Sequence, residues 1–108
     1  MASREATPLV HPREEDFDLF TVMAALADPV RRGIVLRLAA EPGLYCGSFD
    51  LPVNKSAASR HFRVLRESGL IRQRTDGTRH RNELRADELE RRFPGLLPLV
   101  LAEAQVNG

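Results

Sequence analysis

Basic and hydroxyl side chains are concentrated in the middle of this chain, in a chemistry that suits a polyanion. Residues 55–81 carry eight lysine and arginine side chains against two acidic ones, whereas residues 1–50 carry five arginines against eight acids and residues 82–108 three against five. Arginine makes paired hydrogen bonds to phosphate groups, and serine hydroxyls donate to phosphate oxygens. The segment therefore predicts a surface that meets a polyanion, the alternative being an ordinary solvated face of arginine-rich helices.

Length and composition limit the classes of protein open to the chain. Its 108 residues are 43% apolar and 29% charged, which suits one domain with one modest core and is too short for a two-lobed enzyme. The sequence has no Ser/His/Asp ordering, phosphate loop or carboxylate pair in a credible pocket, so we expect neither an enzyme nor a cofactor. There is no apolar run long enough for a membrane span, no signal-peptide pattern and only one cysteine, so a cytoplasmic protein without membrane contact is expected.

The first predicted helix begins at Asp16 and has two apolar faces. Phe17 and Phe20 recur with helical spacing on one face, while Val22 and Leu26 lie on an adjacent one. Two apolar faces on a short helix indicate that one packs on the core and the other on something else.

A second helix is marked by its start and end signals. Asp28-Pro29 provides an N-cap and a proline at the first helical position, and Pro42-Gly43 ends the helix. Residues 44–53 contain Gly and Pro and leave room for only a short helical turn.

The best-marked helix follows and carries the basic face. Asn54 is the predicted N-cap, Ala58, Phe62 and Leu65 form the buried stripe, and Gly69 is the residue after the C-terminus.

After Gly69 the pattern alternates with a period of two, which predicts a β-hairpin. A two-residue type I′ turn at Asp76-Gly77 would pair Arg74 with Arg79 and Arg72 with Arg81, with all four arginines on one face. Like charges directly opposite each other destabilise a sheet, so this face makes more sense beside phosphates.

The two ends of the chain carry more apolar surface than so small a core can cover. Residues 86–93 continue as a charged helix, Pro94-Gly95 interrupts it, and apolar residues follow with helical spacing. Exposed apolar patches usually mark interfaces, so the terminal helices are predicted to form a homodimer surface. Its predicted residues are Phe17, Phe20, Leu96, Leu97, Val100 and Leu101.

The predicted order of elements is helix, helix, short turn, basic helix, basic hairpin, helix. A tight turn followed by a capped basic helix forms a helix-turn-helix, and the hairpin after it is a wing. The fold class is therefore mainly α (α+β): a winged helix-turn-helix with about five helices and one hairpin wing, homodimeric through its terminal helices. The segments LADPVRRGIVLRLA, KSAASRHFRVLRESGLI and RHRNELR resemble the ArsR-type winged-helix transcription regulators, over about Phe17 to Ala104.

The resemblance implies a homodimer that binds double-stranded DNA. Each subunit would place recognition helix 54–68 in the major groove of a palindromic operator and wing 71–84 on the backbone or minor groove, usually repressing transcription until an effector releases it. His61 matches a family histidine, yet it can also pack or bond within the domain. The residues expected at DNA are Lys55, Ser56, Ala57, Ser59, Arg60, His61, Arg63, Arg72, Arg74, Arg79 and Arg81.

Metal sensing is not expected in this chain. Metal-sensing relatives commonly carry a Cys-x-Cys pair ahead of the recognition helix or His/Asp ligands on the terminal helix, whereas here Cys46 stands alone and residues 86–104 contain no histidine. Tight binding of a transition metal needs about three or four converging ligands. Cys46 is either a thiol that forms a disulfide with its twin across the dimer or a small buried residue.

These observations predict three regions and one leading function. Residues 1–15 form a flexible arm, 16–104 the DNA-binding and dimerisation domain, and 105–108 a tail. The leading function is a sequence-specific, homodimeric DNA-binding repressor. The alternatives are a redox-responsive regulator acting through Cys46 and a winged-helix module that binds another protein.

Overall fold

The structure, a computed structural model, describes residues 9–107, without the side chain of Asn107. Within that range it contains five α-helices and one antiparallel β-hairpin, which confirms the winged helix-turn-helix prediction. The elements are α1 (Leu19–Ala27), α2 (Pro29–Ala40), α3 (Lys55–Ser68), β1 (Ile71–Asp76), β2 (Arg79–Leu84), α4 (Ala86–Arg92) and α5 (Leu96–Asn107).

Helix α1 begins three residues later than predicted. Glu14–Asp16 form a separate 3-10 turn, Phe17 is extended, and α1 starts after Asp18. The carboxylate of Asp18 accepts hydrogen bonds from the backbone N–H and the hydroxyl of Thr21, both at 2.9 Å. The helix begins after Asp18 rather than at Asp16 because the Asp18 side chain pairs with a backbone N–H of the first turn that would otherwise lack an acceptor.

Helix α2 begins where its start signal predicts. Asp28 is the N-cap, and its carboxylate accepts from the N–H groups of Val30 at 2.8 Å and Arg31 at 3.1 Å. Ile34 and Leu38, four residues apart on one face of the helix, lie in the core.

Helix α3 has both predicted ends. The side chain of Asn54 accepts from the N–H of Ala57 at 2.9 Å, and Gly69 follows the helix in the left-handed conformation with φ +94°. The N–H of Leu70 then bonds to the carbonyl of Leu65 at 3.1 Å. Phe62 and Leu65 are buried, so the opposite face of α3 is turned to solvent.

The hairpin forms, but its predicted register is wrong by two residues. Arg74 pairs with Arg81 and Arg72 with Glu83, instead of with Arg79 and Arg81. Asp76 pairs with Arg79, so the two turn residues are Gly77 and Thr78. Of these two, only Gly77 has a positive φ, +64°. Glycine at the first central position suits a type II′ turn.

This register changes the charge pattern of the hairpin. A shift of two residues keeps every side chain on its predicted face, but it leaves a single opposed arginine pair and places an acidic residue opposite each of Arg72 and Arg79. Of the two opposed arginine pairs that were predicted, one remains, so the expected repulsion is reduced.

The base of the hairpin is tied to the domain by polar and apolar contacts. Residues 43–45 run beside β2, with the N–H of Gly43 bonded to the carbonyl of Asn82 at 3.0 Å and the N–H of Asn82 to that of Leu44 at 2.9 Å. Ile71 is fully buried, and the buried amides of Gln73 and Asn82 bond to each other at 2.9 Å. The wing is thus continuous with the core at its base.

Residues on either side of the predicted domain 16–104 are joined to it, by hydrogen bonds at one end and by a continuous helix at the other. Residues 1–8 of the predicted arm lie outside the described residues, but His11 accepts a hydrogen bond from the N–H of Gln73 at 3.0 Å and the carbonyl of Pro12 accepts one from Arg85 at 2.8 Å. Glu14 pairs with Arg91 at 2.7 Å. At the other end α5 continues through the predicted tail to residue 107.

One core joins all of these elements. It is formed by thirteen buried apolar residues from the segment before α1, from helices α1–α5 and from the start of the hairpin. They are Phe17, Val22, Ala25, Leu26, Ile34, Val35, Leu38, Phe62, Leu65, Leu70, Ile71, Leu89 and Leu97.

Candidate nucleic-acid interface

The exposed face of α3 holds the cations that the fold itself does not use. Among the lysines and arginines of residues 9–107, only Lys55, Arg60 and Arg63 make no hydrogen bond, ion pair or ring contact, and all three are exposed. Ser56 and Ser59 lie on the same face and are also exposed. Unpaired cations and free hydroxyls on one rigid helix can approach phosphates or base edges without breaking internal contacts.

Two predicted contact residues of α3 are turned partly towards the domain. His61 is half-buried, and its Nδ1 lies 3.2 Å from Nη1 of Arg31, which donates to it. Arg31 also donates to the carbonyl of Ala25 at 2.8 Å. His61 therefore takes part in the packing of α3 on α1 and α2, and Ala57 is likewise half-buried.

The predicted wing arginines all have partners within the protein. Arg72 lies 3.6 Å from a carboxylate oxygen of Glu88, and Arg74 lies 3.7 Å from one of Glu83. An exposed pair as long as Arg74–Glu83 contributes little to stability, so Arg74 can exchange its carboxylate for a phosphate at small cost.

Tyr45 organises the tip of the wing, a role that no local pattern in the sequence indicates. The guanidinium of Arg79 lies 3.5 Å from the centre of the Tyr45 ring, and the Tyr45 hydroxyl donates to Asp76 at 2.6 Å. The bond to Asp76 raises the pKa of the Tyr45 hydroxyl. Arg81 lies on the same ring at 6.0 Å and donates to the carbonyl of Gly43 at 3.2 Å.

A groove separates α3 from the wing, and we call it the helix–wing groove. Its volume is about 530 Å³. Arg66 and His80 line it although neither was among the predicted contacts; Arg66 follows Arg63 by three positions on the helix, a spacing that could have found it. The side chains used below to define the groove are Lys55, Ser59, Arg63 and Arg66 of α3, and Gln73 and His80 of the wing.

Cys46 lies at the floor of the helix–wing groove and is half-buried. Its sulfur accepts from the side-chain amides of Gln73 and Asn82, each at 3.4 Å. Burial raises the pKa of the Cys46 thiol, which lowers the fraction of reactive thiolate at neutral pH.

The residues predicted for the dimer surface fall into three groups. Phe17 and Leu97 are buried within the single chain, so their side chains already belong to its core. Leu96, Val100 and Leu101 are partly buried against that core, whereas Phe20 is 74% exposed.

Two further apolar side chains on this surface were not among the predicted interface residues. Met23 of α1 and Leu99 of α5 are exposed and line an apolar groove of about 850 Å³ between α1, α2 and α5, which we call the helix groove. Their helical positions alone do not show which face the core will cover.

Membrane-spanning helices and clusters of metal ligands are both absent from residues 9–107. No helix in this range has the length and apolar character to cross a bilayer. In the same range no three His, Cys, Asp or Glu side chains converge as a metal site would require.

Comparisons with known proteins decide the class of this chain. A family model described as a helix-turn-helix domain matches residues 26–74. The HTH-type transcriptional regulator Rv2034 of Mycobacterium tuberculosis is 49% identical over 57 residues, which are 51% of this chain and 52% of that protein, about half its length. An uncharacterized HTH-type transcriptional regulator of Bacillus subtilis, YceK, is 35% identical over 79 residues, covering 70% of this chain and 79% of that protein. The chain belongs to the HTH-type transcriptional regulators.

The fold of this HTH-type regulator has also been seen in a crystal structure. The ArsR family transcriptional regulator RHA00566 superposes with a TM-score of 0.60 and covers 89% of this chain and 93% of its own, at 24% sequence identity. This likeness is one of fold, and it places α3 as the second helix of the helix-turn-helix and β1–β2 as the wing. The resemblance to ArsR-type winged-helix regulators is confirmed at this level.

Proposed function

We propose that this HTH-type regulator is a homodimer that binds a palindromic operator sequence-specifically and represses transcription. The observation that carries the proposal is the set of partner-free cations, Lys55, Arg60 and Arg63, on the exposed face of α3. The other described arginines all make hydrogen bonds, ion pairs or ring contacts within the fold. Three free cations on one helix face therefore favour an external anionic partner.

In this proposal α3 enters the major groove and reads bases. Arg60 is exposed and long enough for a bidentate contact to guanine, the commonest specific contact in that groove. Ser56 and Ser59 would hydrogen-bond to phosphates or base edges near the helix start.

The wing would contact the backbone or the adjacent minor groove. Arg74 and Arg79 support this role because they are exposed and held near the hairpin tip by weak contacts with Glu83 and Tyr45. Tyr45 keeps the tip ordered before binding, which reduces the entropy lost when the wing docks.

The dimer would form through α1 and α5. Phe20, Met23 and Leu99 expose apolar surface there, and Met23 and Leu99 line the apolar helix groove. A two-fold axis through this surface would present two α3 helices to successive major grooves, about 34 Å apart on one side of the DNA. Repression is what the ArsR resemblance implies for the bound state.

The test of DNA reading is fluorescence anisotropy with the DNA upstream of the protein's own gene and with random duplexes of equal length, at several salt concentrations. We expect tighter binding to the upstream duplex and a steep salt dependence. Equal binding to both would place the operator elsewhere, to be found by selection from a random pool; binding to neither would contradict the proposal and favour a protein-interaction module.

Two arginine variants separate base reading from backbone contact. Arg60→Ala should lose about 1–3 kcal/mol on the specific duplex and less on random DNA, because the lost contact is to a base. Arg74→Ala is the matched control, and it should weaken both duplexes evenly and flatten the salt dependence. Equal losses on both duplexes for Arg60→Ala would remove Arg60 from the reading residues.

The dimer is tested by sedimentation equilibrium of the purified chain. Phe20→Glu should shift the protein from dimer to monomer, since it places a charge at the most exposed large apolar side chain of α1. Val10→Glu changes an equally exposed apolar residue that lies outside α1 and α5, and it should leave the mass unchanged. A monomeric wild-type protein, or a dimer that tolerates Phe20→Glu, would contradict this interface.

A further inference from the structure

The helix–wing groove has one strongly basic wall. Lys55, Ser59 and Arg63 follow one another at four-residue spacing along α3, and Arg66 continues the row three residues later. Side chains at such spacings lie one above the other on a helix. At 1.5 Å per residue the row is about 16 Å long, so it presents cations and a hydroxyl along a linear track.

The opposite wall belongs to the wing and offers hydrogen-bonding groups. Gln73 and His80 line this side of the groove, and the imidazole of His80 is half-buried with no hydrogen bond to another side chain in the described chain. An imidazole always has a ring N–H to donate, and it would face the row on α3 across the groove.

Arg66 carries a positive charge that its neighbours in the fold compensate only weakly. Its side chain is only 13% exposed, one guanidinium nitrogen donates to Gln73 at 2.6 Å, and its Nε is buried without a hydrogen-bond partner. Its ion pair with Glu67 is 4.0 Å long, and the Glu67 side chain is mostly in solvent. A buried cation with so weak a counter-charge is costly, so an anion in the groove beside it would be favoured.

We propose that the helix–wing groove binds the sugar-phosphate backbone of one DNA strand, and that Arg66 and His80 take part in this binding. The inference rests on the proposed function. If α3 lies in a major groove and the wing meets the adjacent minor groove, the strand that separates these two grooves must pass between the two elements. Arg66 supplies charge at the floor of the track, and His80 donates a hydrogen bond from the wing side.

The test compares four proteins by fluorescence anisotropy on an operator duplex, taken from the upstream DNA or by selection, and on a random duplex. They are the wild type, Arg66→Gln, His80→Ala and the control Arg91→Gln, which removes the same charge from α4 outside the groove. Arg66→Gln should weaken binding to both duplexes about tenfold and reduce the salt slope by about one. His80→Ala should weaken both duplexes about threefold, because the DNA backbone loses one hydrogen bond. Arg91→Gln should match the wild type.

The failure of this inference can be told from the failure of the proposed function. If the wild type binds DNA and the Arg66 and His80 variants match Arg91→Gln, the groove is not a backbone site although the protein still binds DNA. If the wild type binds no duplex, both proposals are overturned.

A second measurement does not depend on the folding of a variant. In the wild type, the ¹⁵N-¹H resonance of Arg66 Nε should shift when random duplex is added, because a phosphate in the groove then changes the field at the guanidinium. Millimolar inorganic phosphate should leave that resonance unshifted. A shift with inorganic phosphate as large as with DNA would assign the groove to small anions and overturn the backbone proposal, as would no shift with DNA.

Discussion

Replacing Gly69 by alanine should destabilise the protein more than any other glycine-to-alanine change in the described chain. Gly69 ends α3 with φ +94°, a conformation that costs a residue with a side chain about 1–2 kcal/mol. A Cβ atom there would also lie 2.8 Å from Cδ1 and 2.9 Å from Cζ of Phe17, with Cε1 closer still. Real Cβ contacts are not this short, so the ring must move.

The Phe17 ring has little freedom to move. It is 4% exposed, and the guanidinium of Arg85 lies 4.8 Å from its centre on one face. Overpacking of a filled core costs about 1–3 kcal/mol. With the backbone strain, we expect Gly69→Ala to lower the free energy of unfolding by about 2–5 kcal/mol, a large part of the stability of a small domain.

Urea denaturation followed by circular dichroism measures this loss. Gly33→Ala is the matched control, because Gly33 lies inside α2 with no atom within 4 Å of its added Cβ, and alanine there should stabilise by about 0.5–1 kcal/mol. In a Phe17→Leu background the cost of Gly69→Ala should fall to the backbone strain alone, about 1–2 kcal/mol. A loss below about 1 kcal/mol, or one unchanged by Phe17→Leu, would refute the reasoning.

Two further predictions concern the N-cap of α2 and the attachment of residues 9–15. Asp28→Ala should lower the free energy of unfolding by about 1 kcal/mol, because two N–H groups lose their acceptor, and Asp28→Asn should lose clearly less; equal losses in urea denaturation would contradict the cap. For His11, burial and the nearby Arg72 lower the pKa, and Nε2 accepts from the N–H of Gln73, so the fold binds the neutral ring. The unfolded chain therefore takes up a proton first, and this stabilisation, complete above pH 6.5, should be lost as the pH falls from 6.5 through the native pKa. Urea midpoints at pH 7.5, 6.5 and 5.5 measure it, and a wild-type pH dependence in this window that His11→Gln leaves unchanged would contradict it.

Much of the candidate interface was predictable because its signals are local. The N-cap of α3, its buried stripe and its exposed row of Lys55, Ser59 and Arg63 follow from residue types and a period of 3.6. Gly69 marked the end of the helix for the same kind of reason, since glycine accepts positive φ. Arg66 was not among the residues expected at DNA, and only the position of Gln73 on the wing shows that it lines a groove.

The sequence by itself determined the order of helices and hairpin, the ends of α2 and α3 and the concentration of charge on α3, because capping, periodicity and charge act between residues close in the chain. The tertiary structure decided which side chains are buried and which have partners within the protein. It placed Phe17 in the core rather than on the dimer surface, because the ring packs against Gly69, fifty-two positions away. It set the hairpin register through the contacts of Asn82 with residues 43–45, and it gave Arg79 a partner in Tyr45 while leaving Arg60 with none. These outcomes depend on which distant segments pack together, and no local pattern in the sequence contains that information.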